Sequence, residues 1–453
     1  METTNETAAH PAVASEPAQA GHPPGAVTHP ARQPLVDAEG LLCGFELVTR
    51  EPLAGDGAAA ADADPASRRA ASDAALTQTL ALLGASGVHA ALGGHRGYLS
   101  VNRALLMADD LARISPERYF FQLPPDIAID GELTARLVAL HGKRYRFVLD
   151  RVSAPDATFA KLLPYVYAVK IDVAKVAPDL LAKLADALKS AGKILIALGV
   201  DSHETFERAK AARFDVFQGY FFARADRQAS RRASAPRQAL LNLLRLLSAD
   251  PSVAQLEAEL KLNPVLVMHI MRLANSGEAS IGRKVATLRD AINATGTNRI
   301  ARWTQLLLYA DGRKVRLEDD PLVQLAATRA RFMEMAAAHL TQANRKVVDA
   351  AFLTGVFSLV DAVFGDTLEA TLDALMLAGH IRAAILRHEG LLGTLLAAVQ
   401  ALERADWAAL EQVSAALAPF TPPELAELAI ASAAWASAAD QHGDNAGLER
   451  VQE

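Results

Sequence analysis

A single cysteine, Cys43, in 453 residues excludes an internal disulfide and any zinc site built from clustered cysteines, and it fits a reducing compartment. Long apolar runs are missing as well. No stretch supplies the roughly 18 continuous apolar residues of a membrane span, and no basic start followed by an apolar segment marks a secretory signal. Aromatic residues make up only 6% of the chain, so Ala and Leu carry most of the 51% hydrophobic content, a mixture that favours helices. A surplus of positive charge is lacking too: 46 Lys and Arg against 52 Asp and Glu leave a net charge of −6 and no electrostatic ground for a nucleic-acid partner. With 22% charged residues the chain is not one long disordered segment, and its length suffices for two or three domains. A cytoplasmic protein without a membrane partner is expected.

Composition divides the chain. Residues 1–31, rich in Ala, Pro, Thr and His, read as a disordered tail, and residues 441–453 as another. The scattered His10, His22 and His29 have no metal-ligand spacing. Ala54–Arg69 reads as a loop ahead of a helix near Ala71–Leu83, and 225–236, small, basic and proline-containing, as an interdomain linker.

Between the first tail and that linker, residues 32–224 alternate short β-rich runs with helical patterns. Eight strands are expected: Gln33–Val36, Cys43–Thr49, Tyr98–Asn102, Tyr119–Leu123, Arg146–Asp150, Tyr167–Ile171, Ile194–Leu198 and Asp215–Gln218. The first two form a hairpin across Asp37–Gly40. Later strands are separated by helical stretches such as Asp179–Ala191 and His203–Ala212, which parallel crossovers require. The pattern predicts a trimmed α/β TIM-type barrel with one antiparallel starter strand, its chemistry at the carboxyl ends of the strands. Polar residues at those ends are Glu46, Asn102, Gln122, Asp150 with Arg151, Lys170 with Asp172, Asp201 and Gln218.

The ordered segments GFELVTR, LSVN, FFQLP, VLDRV, VKID, LGVD and FQGYFF resemble the EAL family of cyclic di-GMP phosphodiesterases. In that family, strand-end carboxylates and an Asn hold two divalent cations that activate water against a phosphodiester. The resemblance places Glu46 at the first signature Glu, Arg50 at a phosphate-contacting Arg, Asn102 at the metal-binding Asn, Asp150 at the first of two adjacent Asp, Lys170 at the Lys of K-I-D and Gln218 at the Gln before Gly-Tyr. Four positions depart from it. Gln122 replaces a ligand Glu, Arg151 the second Asp, Leu198 a further Glu, and Asp201 is a shortened acid.

A two-metal site must offset about four positive charges about 4 Å apart. Glu46, Asp150 and Asp201 remain where the family has six acids, and Arg151 adds a permanent cation expected in the region of a metal. The resemblance therefore implies a degenerate, non-catalytic site without a metal, residual magnesium included. Glu46 with Arg50, and Asp150 with Lys170, then become simple ion pairs. Arg50, Asn102, Arg151, Lys170 and Gln218 would still suit a phosphodiester, which leaves open cyclic di-GMP binding without hydrolysis. A weak residual phosphodiesterase is the third alternative.

From Pro236 onward strand patterns vanish. Residues 237–440 read as an all-α domain, opened by the amphipathic Gln238–Ser248. Asp250-Pro251 and Asn263-Pro264 pair an N-cap with a first-turn proline, Thr287 and Asp290 form a capping box, and Gly296 ends that helix before Asn298–Tyr309. Further helices are expected over Pro321–His339, Val347–Val363, Thr367–Leu377, His380–Arg387, Leu391–Ala405, Trp407–Leu417 and Pro422–Ala439. Asp250–Val253, Asn263–Leu266, Arg272–Ser276, Leu288–Ile292 and Gly355–Gly365 resemble the HDOD domain, a helical relative of HD-type metal phosphohydrolases. The His-Asp pair those enzymes need is absent, and His269, His339, His380 and His388 lack ligand spacing. Met268, Met271, Phe332, Met333 and Met335 read as core. Together the two resemblances imply a bacterial signalling protein of EAL–HDOD type, with the helical half an interaction module for a protein partner and with homodimerisation compatible with the barrel.

Overall fold

The computed structural model describes residues 30–49, 86–152, 156–224, 234–261, 287–307, 317–364, 367–374 and 377–438, together with 266, 270, 273 and 274. Both tails, the 54–69 loop, the 71–83 helix, Arg50, Asn263-Pro264, Met268, His269, Met271, Arg272 and Asn275 lie outside them.

All eight expected strands form, as β1 Ala31–Asp37, β2 Leu42–Val48, β3 Arg96–Ser100, β4 Tyr119–Leu123, β5 Arg146–Val152, β6 Ala168–Asp172, β7 Ile194–Leu198 and β8 Val216–Gln218. They close into a barrel in sequence order. β1 runs antiparallel to both β2 and β8, and every other neighbouring pair is parallel. The β1–β2 turn is held by Asp37 Oδ1, which accepts from the N–H groups of Glu39 (3.0 Å) and Leu41 (2.8 Å).

Strand periodicity stacks the interior in layers. Leu35, Tyr98, Phe120, Val148, Ala168 and Ile196 form the lower layer. Two residues further toward the mouth, the same alternation sets Gln33, Glu46, Gln122, Asp150, Lys170, Leu198 and Gln218 into the layer above. Gly44 makes room below: a Cβ there would lie 2.6 Å from Tyr98 Cε2 and 3.0 Å from Arg96 O. Outside the strands a second apolar shell, with Phe121, Phe147, Leu137, Leu184 and Phe206 among its members, packs the crossover helices, including Gly131–Gly142, Pro178–Ser190 and His203–Ala211.

The remainder is helical. The first helix spans Ser234–Ser248, so it takes over the end of the segment read as linker. Pro236 in its first turn is tolerated because its missing N–H has no acceptor there. The Asp250-Pro251 start is corrected. Asp250 has φ 50° and the helix is Val253–Lys261, opened by a capping box in which Gln255 N–H donates to Ser252 Oγ (3.3 Å) and Ser252 N–H to Gln255 Oε1 (2.9 Å). The Thr287 cap forms as expected, with Asp290 N–H donating to Thr287 Oγ1 at 3.1 Å, and that helix ends at Gly296. Val347–Val363 divides into Arg345–Phe357 and Val360–Phe364, where Ser358 Oγ donates to the Gly355 carbonyl. Phe332 and Met333 are fully buried in this half's own core.

The two halves share a wide seam. A direct hairpin gives β1 no crossover helix. The Gly390–Arg404 and Pro422–Ala438 helices cover it instead, the second also packing on Ser86–Leu92 and burying Ile430 and Ala433 in the barrel's outer shell. Arg32 reaches across to Thr328 Oγ1 at 3.2 Å, with its guanidinium 3.9 Å from the Phe45 ring centre.

Gly44→Ala is expected to destabilise the protein by about 1–3 kcal/mol by overpacking. Combined with Tyr98→Leu it should cost less than the two single changes summed, as read in a denaturant double-mutant cycle.

Candidate functional site

The upper layer of the barrel is a buried polar cluster centred on one cation. Lys170, on β6, is fully buried. Its Nζ lies 3.0 Å from Glu46 Oε1, 3.0 Å from Gln122 Oε1 and 3.4 Å from Asp150 Oδ1. The last contact is long and leaves Oδ1 without a well-formed hydrogen bond. Gln122 Nε2 donates to Glu46 Oε1 at 2.6 Å, while Gln218 Nε2 donates to Glu46 Oε2 and to Gln33 Oε1, the latter at 3.1 Å. One ammonium and two carboxylates thus share a pocket otherwise closed by neutral amides.

The two acids respond differently. Burial pushes Glu46 up, but the Lys170 ammonium and the Gln218 and Gln122 amides outweigh it and hold its carboxyl below the usual value. Burial dominates at Asp150. Lys170 counters it and the Glu46 charge adds to it, so Asp150 sits above the usual carboxylate value.

Several sequence-predicted positions lie elsewhere. Arg151 does not enter the region of a cation. Its side chain is 63% exposed, its φ is 47°, and its Nε lies 3.6 Å from the outer Asp150 oxygen. At that left-handed φ, within the irregular register between Leu149 and Val152, the side chain is turned to the rim beside Asp150 and not into the layer. The cation within the site is Lys170. Asn102 follows the end of β3 and caps Arg103–Met107, its Oδ1 accepting from Leu105 N–H at 2.9 Å. Asp201 is exposed at the rim, where its Oδ1 accepts from Tyr220 N–H at 2.9 Å. Leu198 keeps its place in the layer but contributes only apolar surface. The Gly219 turn is forced: at φ 152° a Cβ would stand 2.1 Å from the Val200 carbonyl oxygen.

Residues the sequence did not disclose extend the cluster into the helical half. Gln33 Nε2 donates to the Glu403 carbonyl at 3.2 Å, and Tyr220 Oη to the same carbonyl at 2.7 Å. The Glu403 carboxylate takes Arg329 through two bonds of 2.7 Å, and Arg329 also donates to Ser358 Oγ at 2.9 Å. In that half His339 and His380 are exposed and His388 contacts Gln400 at 3.0 Å. Among the described residues no three His, Cys, Asp or Glu side chains are grouped to hold a metal ion.

Fold and comparison together define a two-module chain: an eight-stranded barrel, then a helical half in which residues 235–407 match the HDOD domain. Across nearly its whole length the chain is related to the cyclic di-GMP phosphodiesterase CdgJ of Vibrio cholerae, 25% identical over 391 residues, covering 85% of this chain and 87% of that protein. The protein YuxH of Bacillus subtilis is 24% identical over 383 residues, covering 83% and 91%. Among solved structures, Klebsiella pneumoniae BlrP1 in a calcium and cyclic di-GMP complex aligns with a TM-score of 0.36 at 20% identity. That alignment covers 46% of this chain and 57% of the BlrP1 chain. No helix among the described residues is long and apolar enough to cross a membrane.

Lys170→Met should remove about 3–5 kcal/mol of stability at neutral pH by leaving Glu46 and Asp150 buried without a cation. Both folded-state carboxyls would then titrate above their unfolded values. The folded chain would bind more protons than the unfolded one, so the variant's stability should rise as pH falls toward their unfolded range, measured by urea unfolding across pH.

Proposed function

We propose that this chain is a non-catalytic signalling protein of the cyclic di-GMP pathway, its barrel descended from a metal-dependent phosphodiesterase and its helical half an interaction module for a protein partner. One observation carries the reading. The barrel-mouth layer has Gln122 and Leu198 where the resemblance implies acid ligands, so Glu46 and Asp150, which already share the Lys170 ammonium, are the carboxylates left in it. A metal pair would need anionic ligands in place of Gln122 and Leu198. These residues do not fit it. Kinship with CdgJ places the chain among relatives of cyclic di-GMP phosphodiesterases.

A second reading, cyclic di-GMP binding without hydrolysis, draws support from a cleft of about 720 Å³ that borders the mouth at Gln218 and Asp201 and continues against the helical half.

Incubated with cyclic di-GMP and magnesium or manganese, the full chain should give no linear dinucleotide above a Glu46→Ala control; product above that control overturns the non-catalytic reading. Under the residual-hydrolase alternative, Gln122→Glu with Arg151→Asp should raise turnover strongly, because both changes return negative charge to the mouth.

A further inference from the structure

The cleft at the seam has one wall from each half. Gln218, Tyr220 and Arg224 line it from the barrel, and Arg329, Glu403 and Arg404 from the helices.

Gln218 is 3% exposed, and its Nε2 is committed to Glu46 and Gln33, while its buried Oε1 has no hydrogen-bond partner among the described residues. Reversing the amide would turn its oxygen onto the Glu46 carboxylate, so the network fixes Oε1 as the open acceptor. A water molecule would satisfy that atom, but it gives no reason for the two arginines. Arg224 and Arg404 are exposed, one on each wall, and neither has an ion-pair partner among the described residues. Two acids lining the cleft have other partners. Glu403 is taken by Arg329 through both oxygens, and Asp201 accepts from the Tyr220 N–H. Asp361, also on the helical wall, forms no ion pair with Arg224 or Arg404 among the described residues. A helix carboxyl end would by itself favour a cation at Arg404. It does not account for a second one at Arg224, nor for an open acceptor between the walls.

We propose that the seam is a composite nucleotide site, in which the two halves bind phosphate through Arg224 and Arg404 while Gln218 Oε1 accepts a hydrogen bond from a base N–H or a sugar hydroxyl. The volume suits a small ligand, and guanidinium groups match phosphate oxygens in both charge and geometry. The inference rests on the receptor reading above and extends it: the helical half touches the ligand itself. Its wall is already fixed against the barrel, because the Glu403 carbonyl, one residue before Arg404, accepts from both Gln33 and Tyr220.

Calorimetric titration of the full chain with cyclic di-GMP, in chelator, provides the test. Wild type should bind, and Arg404→Gln and Arg224→Gln should each weaken binding about tenfold or more, with thermal midpoints unchanged because both side chains are exposed. An unchanged affinity in Arg404→Gln, whatever Arg224→Gln does, overturns the composite site and leaves the receptor reading standing. No binding to wild type at roughly 1 mM ligand overturns both.

Discussion

A lysine ammonium without access to water has to be compensated, and the mouth of this barrel is arranged around that need. Lys170 meets two carboxylates and one amide oxygen, and each of those groups in turn depends on it. Taking an isolated charge out of water costs several kcal/mol even after relaxation, so the three charged groups are stable only as a set. The amides of Gln122 and Gln218 complete the shell of Glu46 without adding charge. Two carboxylates, one ammonium and neutral amides leave the layer with a net charge of −1.

The same cluster is continuous with the rest of the molecule. From Lys170 the contacts run through Glu46, Gln218 and Gln33 to the Glu403 backbone, and from the Glu403 side chain to Arg329 and Ser358. Polar bonds inside a low-dielectric interior hold geometry more tightly than the same bonds in water, although Gln218 Oε1 is left open in this chain of contacts. The barrel mouth and the helical half are therefore mechanically joined, and a displacement of Gln218 would be felt at Glu403.

The barrel was legible in the sequence because period-two apolar runs alternating with helical stretches leave few topologies, and strands such as Tyr119–Leu123 and Ile194–Leu198 coincide with their expected bounds. The convergence of Glu46, Gln122, Asp150, Lys170 and Gln218 was legible for the same reason, as equivalent positions on successive strands. Arg151 stays beside Asp150 but at the exposed rim, because its left-handed φ and the irregular register between Leu149 and Val152 turn it out of the inward layer, a bend that no local pattern in the sequence discloses. Gln33, Tyr220, Arg329 and Glu403 carry no local signal at all. Their partners are up to several hundred residues away: docking of the halves brings Gln33 and Tyr220 to Glu403, and packing within the helical half brings Arg329 to it. The Asp250-Pro251 start failed where two capping motifs overlap, and the reciprocal Ser252–Gln255 pair satisfied more backbone groups.

The tight hairpin that starts the barrel leaves its first strand with no shield of its own, and helices from the opposite end of the polypeptide supply one, seating Ile430 and Ala433 in the barrel's shell. Severing the chain between its modules would strip apolar surface from both pieces at once. The last described helix, remote from any motif, thus belongs to two cores at once, with Ile430 and Ala433 in the barrel's shell and Leu425, Ala426 and Ala436 in that of its own half.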